Sequence, residues 1–259
     1  MVVSTLLGYL AIVIIGFSLG SVGAGGAILF NPLLIYFFEI PPVLASVYSM
    51  LVIGMTCFIG YWQRRRDVHY QIGFMMTAFA LPSLLITRIY ILPKIPQSLF
   101  IFNQNINRDL VLIKILGSFI LFAGLVMFFV NPKKIDHEEK NPIIVMFFLM
   151  IVMGFLMGIL GIGGGFIITP ALASIFNLSI RRAVATSLMV ISINLLAGFF
   201  LGHVMIDQIR YPDLLSYLFF AIVGMTIGLF FSKVISEKLS KKILSCILIC
   251  TGVYTLVHS

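Results

Sequence analysis

Apolar runs of membrane-spanning length dominate this chain. Six of them occupy residues 43–62, 70–92, 110–130, 182–203, 213–234 and 241–258. A helix that crosses the hydrocarbon core needs roughly 17–25 apolar residues, so each run is long enough to span a bilayer. Only 10% of the residues are charged, against about 25% in soluble domains. The segments between the runs are short, so the sequence predicts an all-α polytopic membrane protein with a single membrane domain over residues 1–259.

Two further apolar stretches, 3–37 and 142–176, are each interrupted by a glycine cluster and a later proline. The clusters 20–26 and 158–164 are 138 positions apart, and so are Pro32 and Pro170. The same offset continues through four more identical pairs, which are Ala45 and Ala183, Ser49 and Ser187, Val52 and Val190, and Gly60 and Gly198. This register predicts an internal repeat, with repeat 1 over about residues 1–131 and repeat 2 over about 141–259.

The lysines and arginines predict how the two halves are oriented. If every apolar run crosses the membrane, only 7 of the 17 basic residues lie on the same side as 64–66. If each glycine-interrupted stretch instead enters and leaves on one side, 12 lie on that side and 5 opposite, namely Arg88, Lys94, Arg108, Lys114 and Arg210. The positive-inside rule favours the second arrangement. The predicted fold is therefore an inverted repeat of two halves, each a glycine-broken re-entrant helical hairpin plus three transmembrane helices.

The broken helices also predict a binding site. Irregular backbone at membrane depth is tolerated only where it is buried in protein or lines a wet cavity, and paired broken helices are typical of the central site of transporters. The segments after the clusters, 27–38 and 166–176, have about 11 residues and a length of roughly 17 Å, half a hydrocarbon core. Two helix amino-termini that meet there would present free N–H groups and partial positive charge to an anion.

The predicted substrate-binding residues are the cluster glycines with nearby hydroxyl and amide side chains: Gly23, Gly25, Gly26, Asn31, Ser49, Gly161, Gly163, Gly164, Gly165, Thr169, Thr186, Ser187 and Asn194. Thr56 and Ser192 are further hydroxyls that could complete the site. Glycine allows positive φ and close approach of a ligand to the backbone. Glycine clusters also permit tight helix packing, and this alternative stays open.

The absence of other chemistry narrows the function. All nine acidic residues lie in loops or at the ends of apolar runs, which disfavours a carboxylate-based proton relay or a cationic substrate. The sequence contains no metal-ligand motif, phosphate-binding loop or nucleophile elbow. We therefore predict no enzyme activity, no catalytic residues, no metal and no cofactor. The basic residues lie between apolar runs rather than in a stripe, so nucleic acid is not an expected partner.

The chain resembles the sulfite exporter TauE/SafE family of membrane permeases. The resemblance rests on the paired glycine clusters with downstream proline, on the sequence Ala-Val-Ala-Thr-Ser-Leu at 183–188, and on a repeat that covers nearly the whole chain. The second half matches better, because 23–27 reads Gly-Ala-Gly-Gly-Ala where 161–165 has the full motif, and Ser46 to Ser49 stand where the family tends toward Thr-Ser. The loop 88–109 has no counterpart in the second half.

The resemblance implies export of sulfite or of organosulfonates such as sulfoacetate. Neighbouring families take up related sulfur oxyanions, and some of them use cysteines along the transport path. Cys57 would be the candidate for such a cysteine here. We expect a small anionic substrate and the lipid bilayer as partners, and we leave open whether the chain forms a homodimer. The expected location is the cell (inner) membrane, with several passes through the bilayer. Two alternatives remain at this point: a transporter of another small anion, and a non-transporting membrane subunit that scaffolds a larger complex.

Overall fold

The computed structural model describes residues 2–23, 25–96, 98–101, 104–129, 142–202, 209–231 and 237–258. These residues are almost entirely helical. The α-helices are α1 Val2–Ser18, α2 Phe30–Phe37, α3 Pro42–Gln63, α4 Tyr70–Ile86, α5 Arg108–Phe129, α6 Pro142–Leu160, α7 Gly165–Ile175, α8 Ile180–Leu201, α9 Tyr211–Phe231 and α10 Glu237–Val257.

Shorter helical segments connect some of these helices. The π-helix Leu19–Gly23 and the 3₁₀-helix Gly25–Leu29 lie between α1 and α2. The 3₁₀-turn Arg65–Asp67 precedes α4, which continues into the π-helix Thr87–Ile91 and the 3₁₀-turn Leu92–Lys94.

One short β-hairpin departs from the predicted all-α fold. Strand β1, Ser98–Ile101, pairs antiparallel with β2, Gln104–Asn107. The hairpin falls within the loop 88–109, the segment that has no counterpart in the second half. It is a local addition to a helical membrane domain, and the predicted helical class otherwise holds for the described residues.

Six helices in the described part of the chain are long and apolar enough to cross a membrane, and five coincide with predicted spans. They are Pro42–Gln63, Tyr70–Lys94, Arg108–Phe129, Ile143–Leu160, Ile180–Leu201 and Tyr211–Phe231. The predicted span 241–258 corresponds to α10, Glu237–Val257, within which Lys242–Val257 is an apolar helix. In addition, the segment Ile143–Leu160 of α6 has 18 residues, which is long enough to span a bilayer.

Helices α3 and α8 form the centre of the bundle. Their most apolar windows are 72% and 67% buried, whereas those of α5 and α9 are each 33% buried. Large apolar side chains on the outer helices are accordingly exposed, for example Phe122 and Phe230. A soluble domain would not leave so many of them uncovered, but a bilayer would cover them.

The contacts between helices repeat when the two halves are exchanged. The packing of α1 on α9 corresponds to that of α6 on α4, and the packing of α3 on α9 corresponds to that of α8 on α4. In two further pairs, α3–α8 and α5–α10, a helix packs on its own repeat equivalent. The sequence offset therefore corresponds to an internal symmetry of the packing, and the bundle is one body built from two similar halves.

Equivalent helices in the two halves run antiparallel. Gly60 near the end of α3 lies 3.3 Å, measured from a Cβ placed on it, from Leu188 early in α8. Gly198 near the end of α8 lies equally far from Met50 early in α3. The same order holds for α5 and α10, where Gly117 faces Thr255 and Gly124 faces Ile249.

Small residues allow the symmetric pairs α1–α9 and α6–α4 to approach closely. Gly16 and Gly20 of α1 and its continuation face Gly224 and Gly228 of α9 so closely that a Cβ on any of the four would clash with the opposing backbone. Gly154 and Gly158 occupy the positions in α6 that are 138 residues later, and they meet the backbone of α4 in the same way. Membrane helices associate through such small-residue contacts, which here fix each broken stretch against a continuous helix.

Candidate functional site

The second glycine cluster ends α6 in a conformation that requires glycine. Gly161 has φ +64°, and its N–H donates to the carbonyl of Met157 at 2.9 Å, as in a left-handed helix cap. A Cβ on Gly161 would also overlap the backbone carbonyl oxygen of Ser46 in α3. The chain then turns through Ile162 and Gly163, and α7 begins at Gly165 without a side-chain cap on its first N–H groups. The predicted break in the second half is therefore present.

The first half breaks at the equivalent place but by a different geometry. The chain leaves α-helical hydrogen bonding for the π-helix that ends at Gly23, and it resumes as the 3₁₀-helix that contains Gly25 and Gly26. The predicted short helical segment follows as this 3₁₀-helix and α2. Gly25 and Gly26 are buried.

Helix α7 begins near the middle of its neighbour α8. The Thr169 hydroxyl in α7 lies 2.8 Å from the Ser187 hydroxyl in α8, so the start of α7 lies beside residues further along α8. A Cβ on Gly163 would lie 3.1 Å from Ile191 and 3.4 Å from Ile53. These two isoleucines are repeat equivalents and lie halfway along α8 and α3. The bend before α7 is therefore at the centre of the bundle.

The two broken stretches contact each other at this centre. The Cβ of Ala27 would lie 2.9 Å from a Cβ on Gly163. The Asn31 side-chain amide donates a hydrogen bond to the carbonyl of Leu160, the last residue of α6, across 129 positions of sequence. The structure thus brings together the two glycine clusters that the sequence relates only by their offset. We call the segments 19–29 and 160–165 the two tips.

Most of the predicted hydroxyl residues have partners within the protein. Ser49 and Ser187 donate to carbonyls of their own helices at 2.7 and 2.9 Å, and Thr56 and Ser192 do the same. The Thr186 hydroxyl accepts the backbone N–H of His69 at 3.0 Å, which places it at the beginning of α4 rather than at the tips. Thr186 therefore helps to cap α4 in this conformation, because hydroxyl oxygens commonly accept hydrogen bonds from N–H groups at helix amino-termini.

Two predicted amide residues are buried with polar atoms that have no partner. Asn194 is fully buried, and neither its Nδ2 nor its Oδ1 forms a hydrogen bond; the Oδ1 of Asn31 is also unpartnered. Asn194 lies one turn after Ile191, so it is on the face of α8 that meets Gly163. A buried polar group without a partner costs about 1–3 kcal/mol, and it calls for an explanation such as a bound water or ligand.

The tips are closely packed. Gly161, Gly163, Gly164 and Gly165 are all buried, and the ends of Met153 and Met157 fill the space beside Gly164. A cavity of about 500 Å³ lies instead on the surface of α5, lined by Leu110, Val111, Lys114, Ile115, Ser118, Phe119, Phe122 and Leu156. None of the predicted site residues lines this cavity.

Sequence reasoning missed Arg88. It was counted with the charges outside the membrane, but only 1% of it is exposed, and it lies in the π-helical continuation of α4 inside the bundle. Its Nη1 donates to the Ser46 hydroxyl at 2.8 Å and to the carbonyl of Gly158 at 3.3 Å. The signal was present, because position 88 falls within the predicted span 70–92, and charges within spans are retained for function.

Metal and thiol chemistry find little support among the described residues. They contain no group of three or more His, Cys, Asp or Glu side chains that could hold a metal ion. Cys57 is buried, while Cys246 and Cys250 are exposed on α10. The cysteine-lined path considered for Cys57 therefore has no second cysteine beside it among these residues.

The fold and the paired breaks define a polytopic helical membrane protein organised around a central, broken pair of helices. The family model of the sulfite exporter TauE/SafE family matches residues 8–255, nearly the whole chain. The chain belongs to this family of membrane transporters, which confirms the resemblance seen in the glycine clusters. Searches of curated proteins and of solved structures found no significant match.

Proposed function

We propose that this protein transports small sulfur-containing anions such as sulfite or organosulfonates, and that the anion binds between the two tips. The observation that carries the proposal is the meeting of the tips at mid-bundle, through Ala27 and Gly163, beside the unpartnered amide of Asn194. Helix amino-termini bind anions through free N–H groups and the helix dipole. Helix α7 begins there after Gly164, which has no side chain to cap the helix, so a bound anion would take the place of that cap.

The antiparallel course of equivalent helices supports an inverted repeat. If α3 and α8 both cross the membrane, their opposite directions relate the halves by a two-fold axis in the membrane plane. Transporters with this symmetry bind substrate at the interface between repeats, and they alternate access by moving one repeat against the other. Under this topology the broken stretches are re-entrant, and the tips reach the bilayer centre from opposite faces.

The charge inventory supports an anion rather than a cation. The acidic residues of the described part lie at helix ends and turns: Glu39, Asp67, Asp109, Asp213 and Glu237. No carboxylate in this part faces the tips. Sulfite and sulfonates carry several oxygen acceptors, which suit backbone N–H groups and an asparagine amide. The family description suggests that the substrate contains sulfur, and the positions of the acidic residues support a negatively charged substrate.

The closely packed tips represent a conformation without room for substrate between them. A methyl group on Gly163 would already be too close to Ala27, so an oxyanion, which is larger, can bind only after the tips move apart. Transport then consists of tip separation on one face, binding, closure and separation on the other face. Glycine at these positions permits both the close contact and the approach of the ligand to the backbone.

Flux through proteoliposomes that contain the purified chain tests the proposal. We expect uptake of at least one of sulfite, sulfoacetate and thiosulfate, with competition by the others. Gly163→Leu should abolish flux because its side chain occupies the contact between the tips, whereas Gly8→Leu, in α1 beside the ring of Phe38, should retain it. If none of these anions nor sulfate moves or competes, the anion assignment is wrong.

The close packing of the tips favours a second candidate, a non-transporting membrane subunit that scaffolds a larger complex. In that case the glycines serve helix packing alone. Stoichiometric co-purification with partner proteins, combined with absence of anion flux and of anion binding, would support this candidate over the transporter.

A further inference from the structure

Arg88 is the only buried charged side chain in the described part of the chain. It is 1% exposed and lies within the membrane-spanning segment Tyr70–Lys94. The ion pairs among the described residues are Arg108–Asp109, Arg181–Asp67 and Arg210–Asp213, and none of them includes Arg88. An uncompensated charge in such a place is costly, and in membrane proteins it marks a substrate or ion pathway by default.

The hydrogen bonds of Arg88 leave the Nε of its guanidinium without an acceptor. The Nη1 atom donates hydrogen bonds to the Ser46 hydroxyl and the Gly158 carbonyl, whereas the buried Nε has no hydrogen-bond partner. A guanidinium has five N–H donors, and its flat edges match the paired oxygens of oxyanions. The free Nε therefore indicates a missing acceptor.

A structural role explains only part of this arrangement. Gly158 lies in the last turn of α6, where a cation offsets the negative end of the helix dipole. That dipole amounts to about half an elementary charge, so a positive charge remains after it is offset. Capping also accounts for Nη1 and not for the unpartnered Nε.

Arg88 is joined to the second tip through Ser46. The hydroxyl of Ser46 accepts from Arg88, and the backbone carbonyl of the same residue contacts Gly161 at the bend. On its other side, Arg88 packs against Gly202, where a Cβ would lie 2.6 Å from its Cγ and 3.4 Å from its Nε. A side chain at position 202 would therefore press on the stem of Arg88 next to its Nε.

A second arginine occupies the corresponding place at the other end of the bundle. The Nη2 of Arg64 donates to the carbonyl of Gly20 at 3.2 Å, and Gly20 is the repeat equivalent of Gly158. Positions 46 and 64 are about 27 Å apart along α3, so the two arginines lie at its opposite ends. Burial and the nearby Arg181 lower the pKa of Arg64, while Asp67 opposes this. Arg64 therefore has a carboxylate nearby, whereas no carboxylate of the described residues forms an ion pair with Arg88.

We propose that Arg88 binds the transported anion, through two oxygens of one sulfite or sulfonate group placed on its Nε edge. The inference rests on the proposed function and deepens it, because the charge that attracts the substrate comes from this side chain as well as from helix ends. Two oxygens of one group can each accept one of the two parallel N–H bonds of a guanidinium edge, whereas a chloride ion must accept both at one atom through bent bonds, so the site favours oxyanions over chloride.

Anion-induced thermal stabilisation of the purified full chain in detergent tests the inference without requiring transport. The probes are sulfoacetate, sulfite, thiosulfate and chloride, applied to the wild type, Arg88→Lys, Arg88→Gln and Arg210→Gln. The last is a matched control, because Arg210 pairs with Asp213 at an exposed helix end. We expect the oxyanions to stabilise the wild type and Arg210→Gln, with about tenfold or greater loss of affinity in Arg88→Lys and no binding in Arg88→Gln.

The outcomes separate this inference from the function on which it rests. If Arg88→Gln binds oxyanions with wild-type affinity, Arg88 is not a ligand, and wild-type flux alone then decides the transporter assignment. If the wild type transports anions and chloride stabilises it as well as the oxyanions do, the inference is wrong and the function stands. If no anion stabilises the wild type, the inference is overturned directly. Should Arg88→Gln fail to fold, Arg88→Lys decides, because unchanged oxyanion affinity there contradicts bidentate binding.

Discussion

Gly161→Ala should destabilise the protein by about 2–5 kcal/mol through two separate effects. Alanine in the left-handed conformation of φ +64° costs roughly 1–2 kcal/mol. The new Cβ would also overlap the backbone carbonyl of Ser46, which cannot rotate away, and overpacking of this kind costs about 1–3 kcal/mol. Because Ser46 also holds Arg88, the displacement would reach the proposed anion site.

The assay is thermal unfolding of the detergent-purified protein, compared with Gly25→Ala. The nearest atoms to a Cβ on Gly25 are the ends of two flexible side chains, Leu244 at 2.8 Å and Met127 at 3.9 Å. Gly25→Ala should therefore change stability by less than about 1 kcal/mol, since helical alanine gains about as much as the small rearrangement costs. We expect the midpoint of Gly161→Ala to fall by roughly 5–15 °C. Equal midpoints for the two variants would refute the strained turn at Gly161.

Three further predictions follow from individual contacts. Asn194→Leu should raise the unfolding midpoint, because it removes buried unpartnered atoms worth about 1–3 kcal/mol, yet lower flux; a lower midpoint would reveal a partner for the amide. Thr186→Val should lower the free energy of unfolding by about 0.5–2 kcal/mol, because the cap on α4 is lost. The KM for transport should stay unchanged, and a raised KM would support the predicted role of Thr186 as a ligand. Single cysteines at Arg66 and Lys242 should react with an impermeant reagent from the same membrane face, whereas labelling from opposite faces contradicts the inverted topology.

The sequence predicted the helices and the position of both breaks because these depend on local patterns. Apolar runs mark spans whatever their neighbours are, and the glycine clusters with their shared offset mark the two breaks. The family resemblance, resting on the same residues, is confirmed by the family model. The antiparallel order of α3 and α8 agrees with the orientation predicted from the basic residues, although the inverted topology itself stays a prediction.

Features that depend on tertiary partners could not be predicted in the same way. Arg88 was assigned to the outside because counting basic residues treats every arginine near a span end as a loop residue, whereas Ser46 and Gly158 hold this one inside. Thr186 is predicted as a ligand because it lies in the motif at 183–188, and no local pattern reveals that its hydroxyl accepts the N–H of His69 at the start of α4. The serines of α3 and α8 bond to their own helices, which is common where water is absent.

Disulfide trapping between Ala27→Cys and Gly163→Cys, in a chain whose three natural cysteines are replaced, tests the meeting of the tips most directly. The contact between these positions predicts rapid cross-linking by a mild oxidant. Saturating sulfoacetate, which does not cleave disulfides as sulfite does, should slow the cross-linking because a bound anion must hold the tips apart. Cysteines that do not cross-link, or that cross-link at the same rate with and without the anion, would contradict the account.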